Sequence, residues 1–234
     1  MDTLSPKKLL LYCYIALSLF IALESCAPVE NDPVNLSFYL RINRDIYLDT
    51  IYGEPPQIAI WMKNPKNGKI YNLWVSRRTG ENDWVGKVYC KVSLPYWQSS
   101  QQGEQINEKS LPSQDKVEGI TAATPKSDFI ETKVCVPFGS QWIYYLEVNV
   151  SGDFNESFPN QHPDGYPDTA GNGQPSLIYK GSITAKNGNS DVPELVGRTK
   201  QWQPVDYILD DLKGITTAAE LLNEVKVTCE RSTK

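Results

Sequence analysis

The run Pro56–Lys91, PQIAIWMKNPKNGKIYNLWVSRRTGENDWVGKVYCK, carries the pattern on which the fold reading turns. Ile58, Ile60 and Met62 alternate with Gln57, Ala59, Trp61 and Lys63. Beyond Asn64-Pro65-Lys66-Asn67-Gly68, the residues Tyr71, Leu73 and Val75 alternate with Ile70, Asn72 and Trp74. A two-residue period sends successive side chains to opposite faces of a pleated strand, so the two runs read as a β-hairpin. Asn67-Gly68 offers the positive backbone dihedrals of a tight turn, and Pro65, with no N–H, stays out of the ladder. A further strand is expected over Val85–Val92.

Strand signals recur on both sides of this run, over Asn35–Asn43, Phe129–Val136, Gln141–Val150, Ser176–Lys186 and Asn223–Arg231. Leu36, Phe38, Leu40 and Ile42 share one face of the first, and Val225, Val227 and Cys229 one face of the last. A single helical turn or two is expected after Thr217, where Thr217-Ala218-Ala219-Glu220 has the spacing of a capping box. Many short strands punctuated by Gly, Pro and Asn predict an all-β fold, an immunoglobulin-like β-sandwich with long loops and one short helix near the C-terminus. Residues 34–234, about 200 in number, suffice for one such domain with a sizeable core.

The first residues read as an address. Lys7 and Lys8 precede the apolar run Leu9–Leu23, too short to span a bilayer comfortably and suited to secretion. Leu23-Glu24-Ser25-Cys26 is similar to the lipobox of bacterial lipoproteins, although Glu24 stands where a small or β-branched residue is usual. Residues 1–25 are then a lipoprotein signal peptide, Cys26 the lipidated first residue, and 26–33 a polar tether. Cleavage after Ala27 to give a soluble secreted protein, and an uncleaved anchor, are the competing readings. The expected place is the bacterial cell envelope, with a lipid as the membrane contact.

The chain has 23 basic and 28 acidic side chains, a net charge of −5, with no arginine-rich segment, so nucleic acid is not an expected partner. Cys90, Cys135 and Cys229 lie within the folded part; one pair could bridge in an oxidising compartment, or all three could be small buried core residues. With one histidine and no Cys-x-x-Cys, zinc is not expected.

Three stretches carry possible chemistry. Arg77-Arg78-Thr79-Gly80-Glu81-Asn82-Asp83-Trp84 reads either as a binding loop, with Arg77, Arg78 and Asp83 as its charges and Trp84 as its flat contact, or as a solvated connection with Trp84 returning to the core. Asp153, Asn155, Asp164 and Asp168 space oxygen side chains along a long loop, an arrangement that invites calcium but lacks the register of an EF-hand. Trp84, Trp97, Tyr166 and Trp202 could serve as sugar platforms if two of their rings lay coplanar and exposed. No catalytic constellation stands out: His162 lies in a proline-rich loop, and Asp210 and Asp211 read as solvated or capping groups.

The segments PQIAIWMKNP, NLWVSRRTGENDW, VEGITAATPK, LEVNVSGDFNES and GQPSLIYKGSI together resemble a family of uncharacterised bacterial predicted periplasmic proteins, number 2271 among the domains of unknown function. The resemblance covers roughly Ser37 to Thr228. It implies an extracytoplasmic β-protein without an assigned activity, whose relatives tend to occur beside flavin-linked membrane electron-transfer systems. In that setting Thr121-Ala122-Ala123-Thr124, with Glu118 ahead of it, is similar to the motif at which envelope proteins receive covalent flavin mononucleotide (FMN) on the final hydroxyl. The acceptor would be Thr124, with Thr121 opening the motif; Ala122 replaces the usual glycine and Pro125 follows. The bland reading is a polar turn. The expected function is a non-enzymatic binding or accessory module of the envelope, in association with a flavin-linked redox system. A flavin-carrying electron-transfer component and a carbohydrate-binding module are the alternatives.

Overall fold

The computed structural model describes residues 32–87, 89–101 and 128–232. Cys26, Thr121 and Thr124 lie outside these residues. In chain order the elements are β1 (Val34–Ile42), α1 (Arg44–Leu48), β2 (Gln57–Lys63), β3 (Ile70–Val75), α2 (Arg77–Gly80), α3 (Pro95–Ser100), β4 (Phe129–Val136), β5 (Gln141–Asn149), β6 (Leu177–Thr184), β7 (Ser190–Asp191), β8 (Glu194–Arg198), a 3-10 turn (Thr217–Glu220) and β9 (Leu222–Arg231). A four-stranded sheet, β4-β1-β9-β7, faces a five-stranded one, β3-β2-β5-β6-β8, and every ladder is antiparallel. The fold is an all-β sandwich.

The alternation in β1 does what its spacing dictates. Val34, Leu36, Phe38, Leu40 and Ile42 are buried, and the residues between them are exposed or half-buried. From the facing sheet come Ile58, Ile60, Met62, Tyr144, Leu146 and Val148, with the Phe38 ring edge-on to Tyr144 at 5.4 Å between centroids. Burying a side chain of this size contributes about 1.5–3 kcal/mol, so these two rows dominate the stability of the sandwich.

The hairpin forms between β2 and β3, but its two faces are not one wet and one dry. β2 is buried from Gln57 to Met62. Ile58, Ile60 and Met62 enter the main core; Ala59 and Trp61 lie under a second cluster with Val75, Leu94 and Trp97. The Pro95–Ser100 segment covers what was expected to be the outward face. In β3 a register shift between Ile60 and Trp61 makes Leu73 an extra residue. Leu73, Trp74 and half-buried Tyr71 therefore pack on the main core, while Val75 turns to the other side, against the plain alternation. In the turn only Gly68 has a positive φ, +74°, and its N–H donates to the Asn64 carbonyl at 2.8 Å; Asn67 stays in ordinary backbone.

Val85–Val92 is not a strand. Gly86 has a φ of +72°, the Lys87 N–H closes a turn on the Trp84 carbonyl at 2.8 Å, and Val85 is 92% exposed. The capping box is not made either: the Thr217 hydroxyl donates to Asp153 at 2.6 Å, and the Thr217–Glu220 turn has no side-chain cap. Instead of one helix near the C-terminus, the described residues hold three short ones earlier in the chain and this 3-10 turn. No described helix is long and apolar enough to cross a membrane.

Register assigns the connections to opposite ends. Val34 pairs with Val136 on one side and with Arg231 on the other, so the chain enters the sandwich where β4 and β9 finish. The short connections gather at that end: the 137–140 turn exchanges backbone hydrogen bonds with Ala185, and Gly188 N–H donates to the Cys229 carbonyl. The other end holds the long connections, residues 43–56, 150–176 and 199–221 and the described part of the connection from β3 to β4.

Candidate functional site

The long connections are stitched to one another. Gly152 N–H donates to Gly171, and Gln174 N–H to Asp153, which closes the β5–β6 loop on itself. The Asp153 carboxylate accepts the Gln174 amide at 2.7 Å and the Thr217 hydroxyl at 2.6 Å, tying that loop to the 3-10 turn. Burial pushes its pKa upward and these two donors pull it back. The Asn155 amide reaches the Gly214 carbonyl at 2.9 Å, and the Asn172 amide reaches Gln201 at 2.9 Å.

This end also carries most of the exposed apolar surface among the described residues. Leu48, Ile51 and Tyr52 lie on the β1–β2 connection, Val85 and Tyr89 on β3–β4, Tyr166 on β5–β6, and Tyr207 and Leu212 on β8–β9. Exposed Phe129 opens β4 at the same end; Val192 is the large exposed apolar residue elsewhere. Exposed apolar side chains gathered at a loop end are a common feature of interaction faces.

The charges of the expected binding loop are spent internally. Arg77 pairs with Glu81 at 2.9 Å and Asp83 at 3.1 Å, and Arg78 with Glu54 at 2.8 Å, Glu54 also taking Lys87. These cations hold the Glu54 carboxyl below its ordinary pKa in spite of the desolvation that opposes them. Trp84 does not return to the core. It is half-buried, edge-on to Tyr89 at 5.4 Å, with the Arg78 guanidinium 6.0 Å from its ring.

The four oxygen residues considered for calcium are not brought to one point. Asp168 accepts the N–H groups of Ala170, Gly171 and Asn172, Asp164 accepts that of Tyr166, and Asn155 caps Ser157 and Phe158. Asp153 is committed as described. No cluster of three or more His, Cys, Asp or Glu suited to a metal occurs among the described residues. Of the four aromatics, Trp97 is buried and donates through its indole to Asn72 at 2.8 Å, and Trp202 is half-buried and stacked on His162 at 4.6 Å. Tyr166, 71% exposed, is the one open ring of the set. His162 is itself half-buried in that stack, not free in solvent.

A buried carboxylate escaped the sequence reading. Glu147 on β5 is 0% exposed and accepts the backbone N–H of Trp97 at 2.6 Å, that of Tyr96 at 3.3 Å, and the Ser176 hydroxyl at 2.5 Å. Desolvation raises its pKa from 4.5 to about 7, against those three donors. Its alternation partners, Tyr145 and Asn149, gave it the look of an outward-facing residue, and nothing in the local sequence signals that α3 lies over it. Around it runs a buried polar layer, in which Thr79 donates to Gln57 at 3.1 Å and Ser176 shares a hydrogen bond with Thr199 at 2.7 Å. Gln57 Nε2 and Asn149 Oδ1, on paired positions of β2 and β5, find no hydrogen-bond partner among the described residues.

The three cysteines among the described residues are free thiols. Cys135 pairs with Asn35 and Cys229 with Leu36 across β1, so the two lie on opposite faces of the four-stranded sheet and cannot bridge. Cys90 is buried beside Asn172.

No family model matches the chain, and neither a curated protein nor a solved structure does.

Proposed function

We propose that this protein is a lipid-anchored, non-enzymatic binding or accessory module of the bacterial envelope, and that it engages its partner through the loop end of the sandwich. The observation that carries the reading is the gathering of four long, mutually bonded connections and their exposed apolar side chains at the end opposite Val34, where the chain enters the fold. β1 is nine residues long, so a tether ending at Val34 holds that surface about 30 Å from its point of attachment. Loops used this way on a sandwich correspond to the immunoglobulin-like mode of recognition. Service to a flavin-linked redox complex is the extension suggested by the family resemblance.

Two measurements test it. Metabolic labelling with a lipid precursor reports acylation, and label retained by Cys26→Ala would dismiss the anchor. Photo-crosslinking amino acids placed at Tyr89 and Tyr166, in the host that makes the protein, report the working surface. Crosslinks from Lys66 or Ser140, with none from the loop end, would overturn the assignment of that end.

A further inference from the structure

The edge of the four-stranded sheet is only partly occupied. β9 pairs with β1 along its length, but on its other side β7 meets only Val227 and Thr228. At Val192-Pro193 the chain leaves this lane and crosses to the five-stranded sheet as β8. Proline has no N–H to offer a ladder, which suits it to the point of departure. Leu222–Lys226 consequently keep one edge with no strand beside it among the described residues. Such an edge presents a row of backbone donors and acceptors.

A groove of about 320 Å3 lies beside this edge, lined by the apolar residues Tyr179, Val192, Pro193, Leu222 and Val225 and by the polar Asn223, Glu224 and Lys226. That volume is at the small end of ligand sites and suits a few aliphatic side chains, not a cofactor. Val192 is 67% exposed, and Glu224 and Lys226, both exposed, stand at the rim of the groove. The lane therefore combines an open ladder, a groove with apolar side chains in it and two opposite charges at its rim.

We propose that this edge takes an extended peptide segment of a partner protein as an added strand, continuing the line of β7 antiparallel to β9. The peptide supplies apolar side chains to the groove at alternate positions, an acidic residue opposite Lys226 and a basic residue opposite Glu224. Main-chain hydrogen bonds give the affinity and the alternating side chains the selectivity. The inference stands apart from the loop-end reading, since it uses a different surface and survives if that end binds nothing.

The test uses the full-length protein and a fluorescein-labelled peptide, Glu-Val-Lys-Val-Thr-Val, with Lys-Val-Glu-Val-Thr-Val as its charge-exchanged control. Fluorescence anisotropy is expected to show saturable binding of the first and about fivefold weaker binding of the second. The double variant Glu224→Lys, Lys226→Glu, altered only at exposed positions, is expected to reverse that preference. N-methylation of alternate peptide amides in one phase is expected to abolish binding, and in the other phase to leave it, because only every second N–H faces β9. Equal binding of both peptides by both proteins overturns the proposal. Absence of saturable binding does so too, as does an anisotropy change explained by self-association of the protein in light scattering.

Discussion

The Glu147 carboxylate accepts the Trp97 backbone N–H at 2.6 Å, joining the C-terminal part of β5 to the first turn of α3. This contact, with those to Tyr96 and Ser176, pins the Pro95–Ser100 segment over the outer face of the five-stranded sheet. No lysine or arginine is among the groups that shift Glu147, so its charge is met by neutral donors alone.

The first prediction follows from that environment. Burial raises the folded-state pKa of Glu147 from 4.5 to about 7, so between these values the folded chain binds more protons than the unfolded one. Its contribution is full below about pH 4.5 and is lost as pH rises through about 7, with an amplitude on the order of 3 kcal/mol. Glu147→Gln retains an acceptor oxygen and removes the charge. Urea denaturation across this range is expected to show a flatter profile for the variant, which gains relative to wild type above neutrality; parallel profiles would refute it.

A second prediction concerns β2, which is buried on both faces. Ile60→Ala opens the main core and Trp61→Ala opens the cluster under α3, where the indole stacks on Tyr145 at 5.3 Å. Losses of about 2–5 kcal/mol are expected for each, measured by thermal or chemical unfolding. A hairpin with one solvated face would show a loss of that size at Ile60 only.

Gly197 supplies a third. It has a φ of +150° in β8, and a Cβ there would run into the Leu209 carbonyl oxygen, which is backbone and cannot swing away. Gly197→Ala is expected to break the Arg198–Leu209 bridge, lower the melting temperature and speed amide exchange at Leu209. Gly139→Ala serves as the comparison: its φ is also positive, at +75°, but no atom lies within 4 Å of the added Cβ.

Thiol chemistry gives a fourth. Burial pushes the Cys90 thiol up to about 11 and raises that of Cys229, while Cys135 is half-buried on β4. Under native conditions an aromatic disulfide reagent is expected to modify Cys135 well before Cys90 or Cys229. Mass spectrometry of the peptides reads the order, and faster labelling of Cys90 would contradict it.

What could be read in the sequence was whatever depends on a two-residue period against one core. β4 falls on Phe129–Val136 as expected, and β1, β5, β6 and β9 differ from their expected bounds by one or two residues at an end. What could not be read depends on contacts between distant segments. Trp61 and Glu147 sit at positions that periodicity assigns to solvent, and only the return of residues 93–97 across the sheet buries them. β7 and β8 are too short to carry a period, and Gly197 weakens the strand signal further. The binding-loop reading of Arg77 and Arg78 came from local charge, while their partner Glu54 for Arg78 lies on another connection.

The pairing of Val34 with Arg231 makes the sandwich almost a closed circuit. A head-to-tail joint of a few residues there, with new ends opened in the exposed Lys66–Asn67 stretch, should give a circular permutant that keeps every ladder intact. In such a rearranged chain the point of entry moves to the β2–β3 hairpin without leaving the short-turn pole. Which end of the sandwich receives the chain is thus a property of its topology, and it outlasts the order in which the strands are joined.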